Sequence, residues 1–141
     1  KSNALQECTR EQVVNSFDNT ILYTDHFLGQ AIQWLKKSEA TAASAMLYVS
    51  DHGESLGENN LYLHGLPYRV APDVQKRVPW ISWWSPNFEK QTGIQSACLK
   101  KKVNTPLTHD NYFHSALGLM GISTEVYQAQ LDVHADCRGK S

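Results

Sequence analysis

The stretch Ala45-Met46-Leu47-Tyr48-Val49-Ser50-Asp51-His52-Gly53-Glu54-Ser55 decides the fold class of this chain. Its first five residues are apolar or aromatic, which is typical of a parallel strand covered on both faces. The run then ends in polar residues and Gly53, where the backbone is free to turn. Ligands of open α/β sheets bind beyond the carboxyl ends of the strands, so Asp51 and His52 are predicted to face a binding crevice.

Asp51 and His52 together have the chemistry of a metal site. A carboxylate oxygen and an imidazole nitrogen are a normal donor set for Zn²⁺, and two protein ligands leave positions for others. Two simpler interpretations stay open at this point. Asp51 could cap the following turn, and His52 could be an ordinary exposed histidine.

Length and composition favour one domain, or part of one. The chain has 141 residues, 41% of them hydrophobic, and a net charge of −1. A net charge so close to zero provides no excess of positive charge to attract nucleic acid, so binding to DNA or RNA is not expected. The basic run Lys100-Lys101-Lys102 is interpreted as a solvated loop, with a patch that binds phosphate or lipid headgroups as the alternative. No stretch approaches the roughly 20 apolar residues that a bilayer span requires.

A long helix is predicted before the strand. Thr9 and Gln12 have the spacing of a capping box, and the helical pattern continues to about Lys37. An apolar stripe at helical spacing comprises Val14, Phe17, Ile21, Leu28, Ile32 and Leu35. Asp25 occupies a position on the same stripe, where a buried carboxylate needs a partner, so it is predicted to be a structural anchor.

The segment 53–79 is rich in glycine, proline and asparagine and is predicted to be a long, functional loop. His64 lies in it and could fold back toward Asp51 and His52, or be an ordinary surface histidine. A second strand is predicted over 78–84. A helix is predicted to start at Thr108 or Asp110 and to end at Gly121, with His109 and His114 too far apart to share a face.

The three cysteines leave two states open. A bond between Cys98 and Cys137 would tie the C-terminal tail to the body of the protein in an oxidising compartment, leaving Cys8 without a partner in this chain. The alternative is three reduced thiols, since sequence alone does not connect cysteines.

Read as one string, residues 48–65 resemble the metal-binding signature of the alkaline phosphatase and sulfatase superfamily. More narrowly, they resemble the phosphoethanolamine transferases that modify lipid A, including the mobile colistin-resistance enzymes. Residues 17–25, 78–79 and 109–111 also fit that family, and the similarity runs from about Cys8 to Gly121. Asn60 stands where many relatives have glycine, and asparagine tolerates the same left-handed turn.

The resemblance implies an α/β fold, with a central, mostly parallel sheet and helices on both faces. Residues 1–141 would form the C-terminal part of an alkaline-phosphatase-like periplasmic catalytic domain. The membrane helices, a nucleophilic threonine and further zinc ligands are expected upstream of Lys1. The remainder of that domain is therefore an expected partner, and the chain alone is expected to be inactive.

The resemblance also implies a reaction. A zinc-dependent enzyme at the periplasmic face of the bacterial inner membrane would take phosphoethanolamine from phosphatidylethanolamine onto its threonine and pass it to a lipid A phosphate, conferring polymyxin resistance. Asp51 and His52 would be zinc ligands, and His64 would bind the substrate phosphate or a second metal. Two alternatives stay open: a sulfatase or phosphodiesterase-type hydrolase of the same superfamily, and a non-catalytic domain that has kept the fold.

Overall fold

Helix α1 spans Arg10–Lys37 in the computed structural model, which describes residues 4–139. It begins with the predicted capping box. The Gln12 amide donates to Thr9 Oγ1 at 3.2 Å, and the Thr9 amide donates to Gln12 Oε1 at 2.9 Å. Two backbone donors that the first turn leaves without helical partners are satisfied in this way. Lys36 and Lys37 lie in the last turn, where positive charge is favoured by the helix dipole.

The buried side of α1 differs from the predicted stripe. Val13 and Leu28 are buried, whereas Ile21 is 53% exposed and Asp25 is exposed. At 3.6 residues per turn, Asp25 lies roughly 90° around the helix from the middle of the side that Val13 and Leu28 define. The prediction that Asp25 is a buried anchor is therefore wrong, because the stripe is rotated toward Val13.

Four strands and four further α-helices follow α1 within residues 4–139. Strand β1 is Ala45–Val49, β2 is Ser55–Leu56, β3 is Tyr62–Leu63, helix α2 is Asp73–Lys76, β4 is Trp80–Trp84, α3 is Pro86–Thr92, α4 is Ser96–Leu99 and α5 is His109–Leu119. Strand β1 is the neighbour of β4 in one sheet, and β2 pairs with β3 in another. The α/β class is thus confirmed, and the segment predicted as an irregular loop contains a small hairpin and helix α2.

The chain divides into two compact units. The first contains the residues up to Trp34 together with Tyr48–Ile81, and therefore most of α1, the β2–β3 hairpin and α2. The second contains Leu35–Leu47 and the residues from Ser82 onward, with α3, α4 and α5. Within the described residues, no helix is both long and apolar enough to cross a membrane.

Helix α3 in the second unit has start and stop signals that are legible in the sequence. Ser85 is the N-cap and accepts a hydrogen bond from the Phe88 amide at 3.2 Å, and Pro86 occupies the first turn. Gly93 ends the helix with a φ of 70°, a left-handed conformation that suits glycine. Ser85 is completely buried and also accepts from the Ser44 amide, so the cap joins two segments of this unit.

Helix α5 starts where the sequence predicts. Thr108 is its N-cap, and Asn111 completes a reciprocal capping box. Gly121, with a φ of 65°, follows the last turn. His114 on this helix is buried and its Nδ1 accepts from the Gln128 amide at 3.1 Å, so it has a structural role.

A disulfide joins Cys98 to Cys137, which confirms the pairing that the sequence left open. Cys8 is a free, partly buried thiol. Cys137 is itself 1% exposed and its carbonyl accepts from the Gln95 amide at 2.8 Å. The bond therefore fixes the end of the chain to α4 inside the second unit.

Asp132 organises the segment before that disulfide. Its side chain is completely buried. One carboxylate oxygen accepts from the Tyr127 hydroxyl at 2.8 Å and from Arg138 at 3.1 Å, and the other accepts from the His134 amide at 2.9 Å. A side chain at Gly118 would overlap this carboxylate, so glycine is required there.

Burial on its own would raise the pKa of Asp132, but the hydrogen bonds from His134 and Tyr127 and the charge of Arg138 outweigh it. The pKa of Asp132 is consequently lower than usual. The carboxylate thus stabilises the fold above the ordinary pKa of aspartate, about 4, and this contribution is lost as the pH falls through the lower, folded-state value.

We expect removal of the disulfide to destabilise the second unit strongly. The bonded cysteines are 39 residues apart, and closing a loop of that length is worth about 4 kcal/mol in the chain-entropy treatment. The double substitution Cys98→Ser/Cys137→Ser should lower the free energy of unfolding by roughly that amount in urea titrations. Cys8→Ser is the matched control and should leave the unfolding midpoint close to wild type.

Asp132→Asn should cost about 2 kcal/mol of unfolding free energy at pH 7, the usual scale for hydrogen bonds to a charged group. The difference from wild type should shrink as the pH is lowered below about 4, because Asp132 of the unfolded wild-type chain then takes up a proton while the folded carboxylate, with its lower pKa, resists it. Urea titrations at pH 7 and pH 3 measure both values. A difference that stays constant or grows at pH 3 would contradict this assignment of the charge.

Candidate metal centre

The register of the β2–β3 hairpin places Glu54 beside His64. The ladder pairs Ser55 with Leu63 and Leu56 with Tyr62 in antiparallel fashion. One step further, the same register sets Glu54 opposite His64. The side chains meet there, since His64 Nδ1 lies 2.8 Å from Glu54 Oε1. The histidine that the sequence placed in a long loop is therefore brought back to the end of β1 by a specific strand pairing.

The turn of this hairpin uses left-handed backbone at several positions. Gly57 has a φ of 108°, Asn59 of 52° and Asn60 of 59°. Asparagine is among the few residues that adopt this region readily, so the expectation for Asn60 is confirmed. Glu58 Oε2 accepts from the Leu56 amide at 2.7 Å, and the Gly57 amide donates to the Leu61 carbonyl at 2.8 Å. These bonds close the turn and fix its length.

Leu63, immediately before His64, also has a left-handed backbone, with a φ of 61°. That conformation is unfavourable for leucine, since its conformational free energy is about 1–2 kcal/mol higher for a residue with a Cβ. Its side chain is 54% exposed, so packing does not explain the choice. The conformation is instead the one that turns the chain at His64 toward Glu54, and strain of this kind is often found beside functional side chains.

His52, Glu54 and His64 form the cluster that we call the His–Glu cluster. Each offers a ligand atom, and these atoms all lie within 4.8 Å of one another. The two imidazole rings are stacked, with centroids 3.7 Å apart and planes inclined by 30°. The structure therefore brings two of the predicted site residues together and adds Glu54, which the sequence pattern did not single out although it lies in the same string as Asp51 and His52.

The two carboxylate oxygens of Glu54 differ in their contacts. Oε1 contacts His64 at 2.8 Å and lies 3.9 Å from His52 Nδ1. Oε2 is buried and has no hydrogen-bond partner within residues 4–139. A buried carboxylate oxygen without a partner is costly, and a bound cation would satisfy it. This orphaned oxygen shows that the donor set fits a metal ion.

Asp51 lies beside the cluster, at the end of β1. Its side chain is 87% exposed, and Oδ1 accepts from the His52 amide at 3.0 Å. This backbone hydrogen bond is the main reason why the pKa of Asp51 is lower than usual, with smaller contributions from the His52 and His64 rings. The carboxylate is thus kept ionised, as a metal ligand must be.

The ring nitrogens of His52 have different surroundings. Nδ1 lies 3.1 Å from the Gly53 carbonyl, a contact that suits an N–H donor. The remaining nitrogen, Nε2, is then the lone-pair donor, and it lies 3.6 Å from Asp51 Oδ2. Zinc binds nitrogen and oxygen ligands at about 2.0–2.2 Å, so two donors at this separation can share one ion. The predicted pair is geometrically suited to zinc.

The family model described as Sulfatase matches residues 1–122. Phosphoethanolamine transferase EptA of Escherichia coli K12 is 46% identical over 138 residues, which are 97% of this chain and 25% of that protein. Phosphatidylethanolamine transferase Mcr-1 of Escherichia coli is 42% identical over 125 residues, 89% of this chain and 22% of that protein.

A solved structure shows the same fold. The soluble domain of lipooligosaccharide phosphoethanolamine transferase A from Neisseria meningitidis aligns with a TM-score of 0.93 and 43% identity, covering 99% of this chain and 42% of that domain. The same Neisseria protein solved as an integral membrane protein aligns equally well, with the chain covering 26% of it.

The extent of the family match and the fold settle the class: the chain belongs to the sulfatase family. Within that family, the relatives named above are phosphoethanolamine transferases. The chain spans about a quarter of the length of these curated relatives.

Two truncations of Leu63 test the left-handed conformation beside His64. In an ordinary strand, Leu63→Gly should be less stable than Leu63→Ala by about 0.5–1 kcal/mol. At a φ of 61° the order should reverse, with glycine the more stable by about 1 kcal/mol, because only alanine has a Cβ to strain. Thermal unfolding of both variants measures the order. Alanine proving more stable would show that Leu63 is in extended conformation.

Proposed function

We propose that the protein containing this chain is a zinc-dependent phosphoethanolamine transferase. It takes the group from phosphatidylethanolamine and passes it to a phosphate of lipid A at the periplasmic face of the inner membrane. The observation that supports this most strongly is the match of nearly the whole chain to phosphoethanolamine transferases, one of them named for lipooligosaccharide. Polymyxin and colistin resistance would follow from the modified lipid A.

Asp51 and His52 would hold the zinc ion, with further ligands from the rest of the catalytic domain. The support is the 3.6 Å separation of Asp51 Oδ2 and His52 Nε2 and the ionised state of Asp51. When bound, the ion would supply Lewis-acid stabilisation of the nucleophile and of the transferring phosphoryl oxygens. The Gly53 carbonyl would accept a hydrogen bond from Nδ1–H of His52, so that the lone pair of Nε2 stays available to the metal.

His64 would act on the phosphate. The Glu54 carboxylate accepts a hydrogen bond from Nδ1–H of His64 and orients the ring. Nε2 would bind a phosphate oxygen or protonate a leaving group when it carries a proton, and would hold a second metal when its lone pair is free. Partial exposure of the His64 side chain, 48%, is consistent with contact to a substrate. Glu54 thus has a role in the proposed site as well, since its contact with Nδ1 fixes which nitrogen of His64 faces outward.

The nucleophile in this scheme is a threonine of the remaining catalytic domain. It would carry phosphoethanolamine as a covalent intermediate, which divides the transfer into two steps with the donor lipid leaving before the acceptor reacts. Neither Thr20 nor Thr24 suits that role, because both hydroxyls donate to helix carbonyls of α1, at 2.7 Å and 2.9 Å.

A hydrolase is the second candidate. The family model that matches the chain is the sulfatase model, and the same metal donors could serve transfer to water. The two functions differ in the acceptor, so they are separated by the product. A transferase places phosphoethanolamine on lipid A, whereas a hydrolase releases the group into solution.

Mass spectrometry of lipid A from cells that express the parent gene tests the proposal. Wild type should add a phosphoethanolamine increment, and Asp51→Ala should abolish it because a metal ligand is lost. Asp136→Ala, which removes an exposed carboxylate from the second unit, is the matched control and should retain the increment. No increment in wild type would reject the lipid A assignment, and an increment surviving in Asp51→Ala would reject Asp51 as an essential ligand.

A further inference from the structure

Gln75 of helix α2 makes contact with both neighbours of Glu54. The Gly53 amide donates to the Gln75 carbonyl at 3.0 Å. The Gln75 side-chain amide donates to Ser55 Oγ at 2.8 Å. Gln75 thus binds the backbone of Gly53, just before Glu54, and the side chain of Ser55, just after it.

These contacts lie in the interior of the first unit. Ser55 is 1% exposed and Gln75 is 7% exposed. A buried amide or hydroxyl that loses its hydrogen-bond partner is no longer compensated for its lost contacts with water. Breaking the bond between these two side chains is therefore unfavourable. The Ser55–Gln75 bond therefore constrains the positions of both side chains. Water could replace a hydrogen bond at the surface, but it cannot easily replace this buried one.

Gly53 shows how closely the two segments approach. A Cβ at Gly53 would overlap the carbonyl of Val74, which is backbone and has little freedom to move aside. The segment between His52 and Glu54 therefore lies directly against the backbone of α2. Hydrogen bonding and steric fit act on the same three residues, 53–55.

The constraint extends to His64 through the hairpin. Ser55 is paired with Leu63 in the β2–β3 ladder, and His64 follows Leu63. A shift of Ser55 would shift its register partner, Leu63, and with it the 2.8 Å contact between His64 and Glu54. Gln75 therefore restrains all three members of the His–Glu cluster through its contacts with Gly53 and Ser55.

We propose that Gln75 is a positioning residue for this metal centre: by clamping Gly53 and Ser55 it fixes Glu54, His52 and His64 in the arrangement that binds the metal and the phosphate. This inference rests on the proposed function, because it takes the cluster to be part of a metal site. It assigns a role to α2, a helix of four residues that the reaction scheme otherwise leaves without one.

Two variants of the parent protein separate positioning from stability. Gln75→Ala removes the amide and leaves Ser55 Oγ buried without its donor. The double variant Ser55→Ala/Gln75→Leu replaces both polar partners by apolar groups, a change that is nearly neutral for stability when shape is kept. Ser115→Ala is the matched control, since Ser115 is a completely buried serine of the second unit whose Oγ accepts one amide, that of Val133 at 2.9 Å.

Zinc affinity, measured by competition with a chromophoric chelator, is the first readout. Both Gln75 variants should bind zinc about 10-fold more weakly or worse, the usual effect of losing a partner that orients metal ligands. The double variant should do so with a Tm near that of wild type. Ser115→Ala should have a lower Tm and unchanged zinc affinity. A double variant that binds zinc as tightly as wild type would overturn the positioning role.

Hydrogen exchange of the metal-free protein is the second readout and does not depend on zinc. The amides of Gly53 and Ser55 should exchange faster in both Gln75 variants than in wild type or Ser115→Ala. If wild type fails to bind zinc, the proposed function fails, and unchanged exchange at these amides would then overturn the clamp as well. If zinc affinity and exchange behave as expected but no lipid A is modified, the transferase proposal fails and the positioning role stands.

Discussion

The contact between Glu54 and His64 is the interaction on which the candidate site depends. It joins two residues ten positions apart, and it exists because the hairpin pairs Ser55 with Leu63 and no other register would set Glu54 opposite His64. A shift of one residue would turn the histidine to the other face of the ladder. The left-handed turn residues and the strained Leu63 are the conformational cost of holding that register.

The buried hydrogen bond between Ser55 and Gln75 lies next to the strained Leu63, which is the ladder partner of Ser55. The ligand atoms of the site project from a strand end and a short hairpin, elements that would be mobile on their own. In the proposed role of Gln75, attachment to α2 would preorganise them and so lower the entropic cost of binding a metal. The second unit is stabilised separately, by the Cys98–Cys137 disulfide and the buried Asp132 carboxylate.

Local signals in the sequence predicted several features correctly. The capping residues of α1 and α5, the strand before Asp51 and the left-handed Asn60 all follow from interactions between residues close in sequence. The sequence does not settle the position of His64, because that position depends on a strand pairing and segments of two residues are too short to show an alternating pattern. It does not reveal Glu54 and Gln75 for a related reason, since their partners are set by tertiary contact. The prediction for Asp25 is wrong because a wide apolar arc does not reveal which part of it is covered.

In the proposed site, the end of β1 carries the zinc ligands Asp51 and His52, and the hairpin holds His64 beside them. Diffraction data collected on either side of the zinc absorption edge, from crystals of the parent protein grown with zinc, would locate the ion directly. We expect an anomalous peak about 2 Å from His52 Nε2 and from the Asp51 carboxylate, with His64 still held by Glu54. A fully loaded zinc site that contacts neither Asp51 nor His52, or a hairpin in a different register, would contradict this assignment.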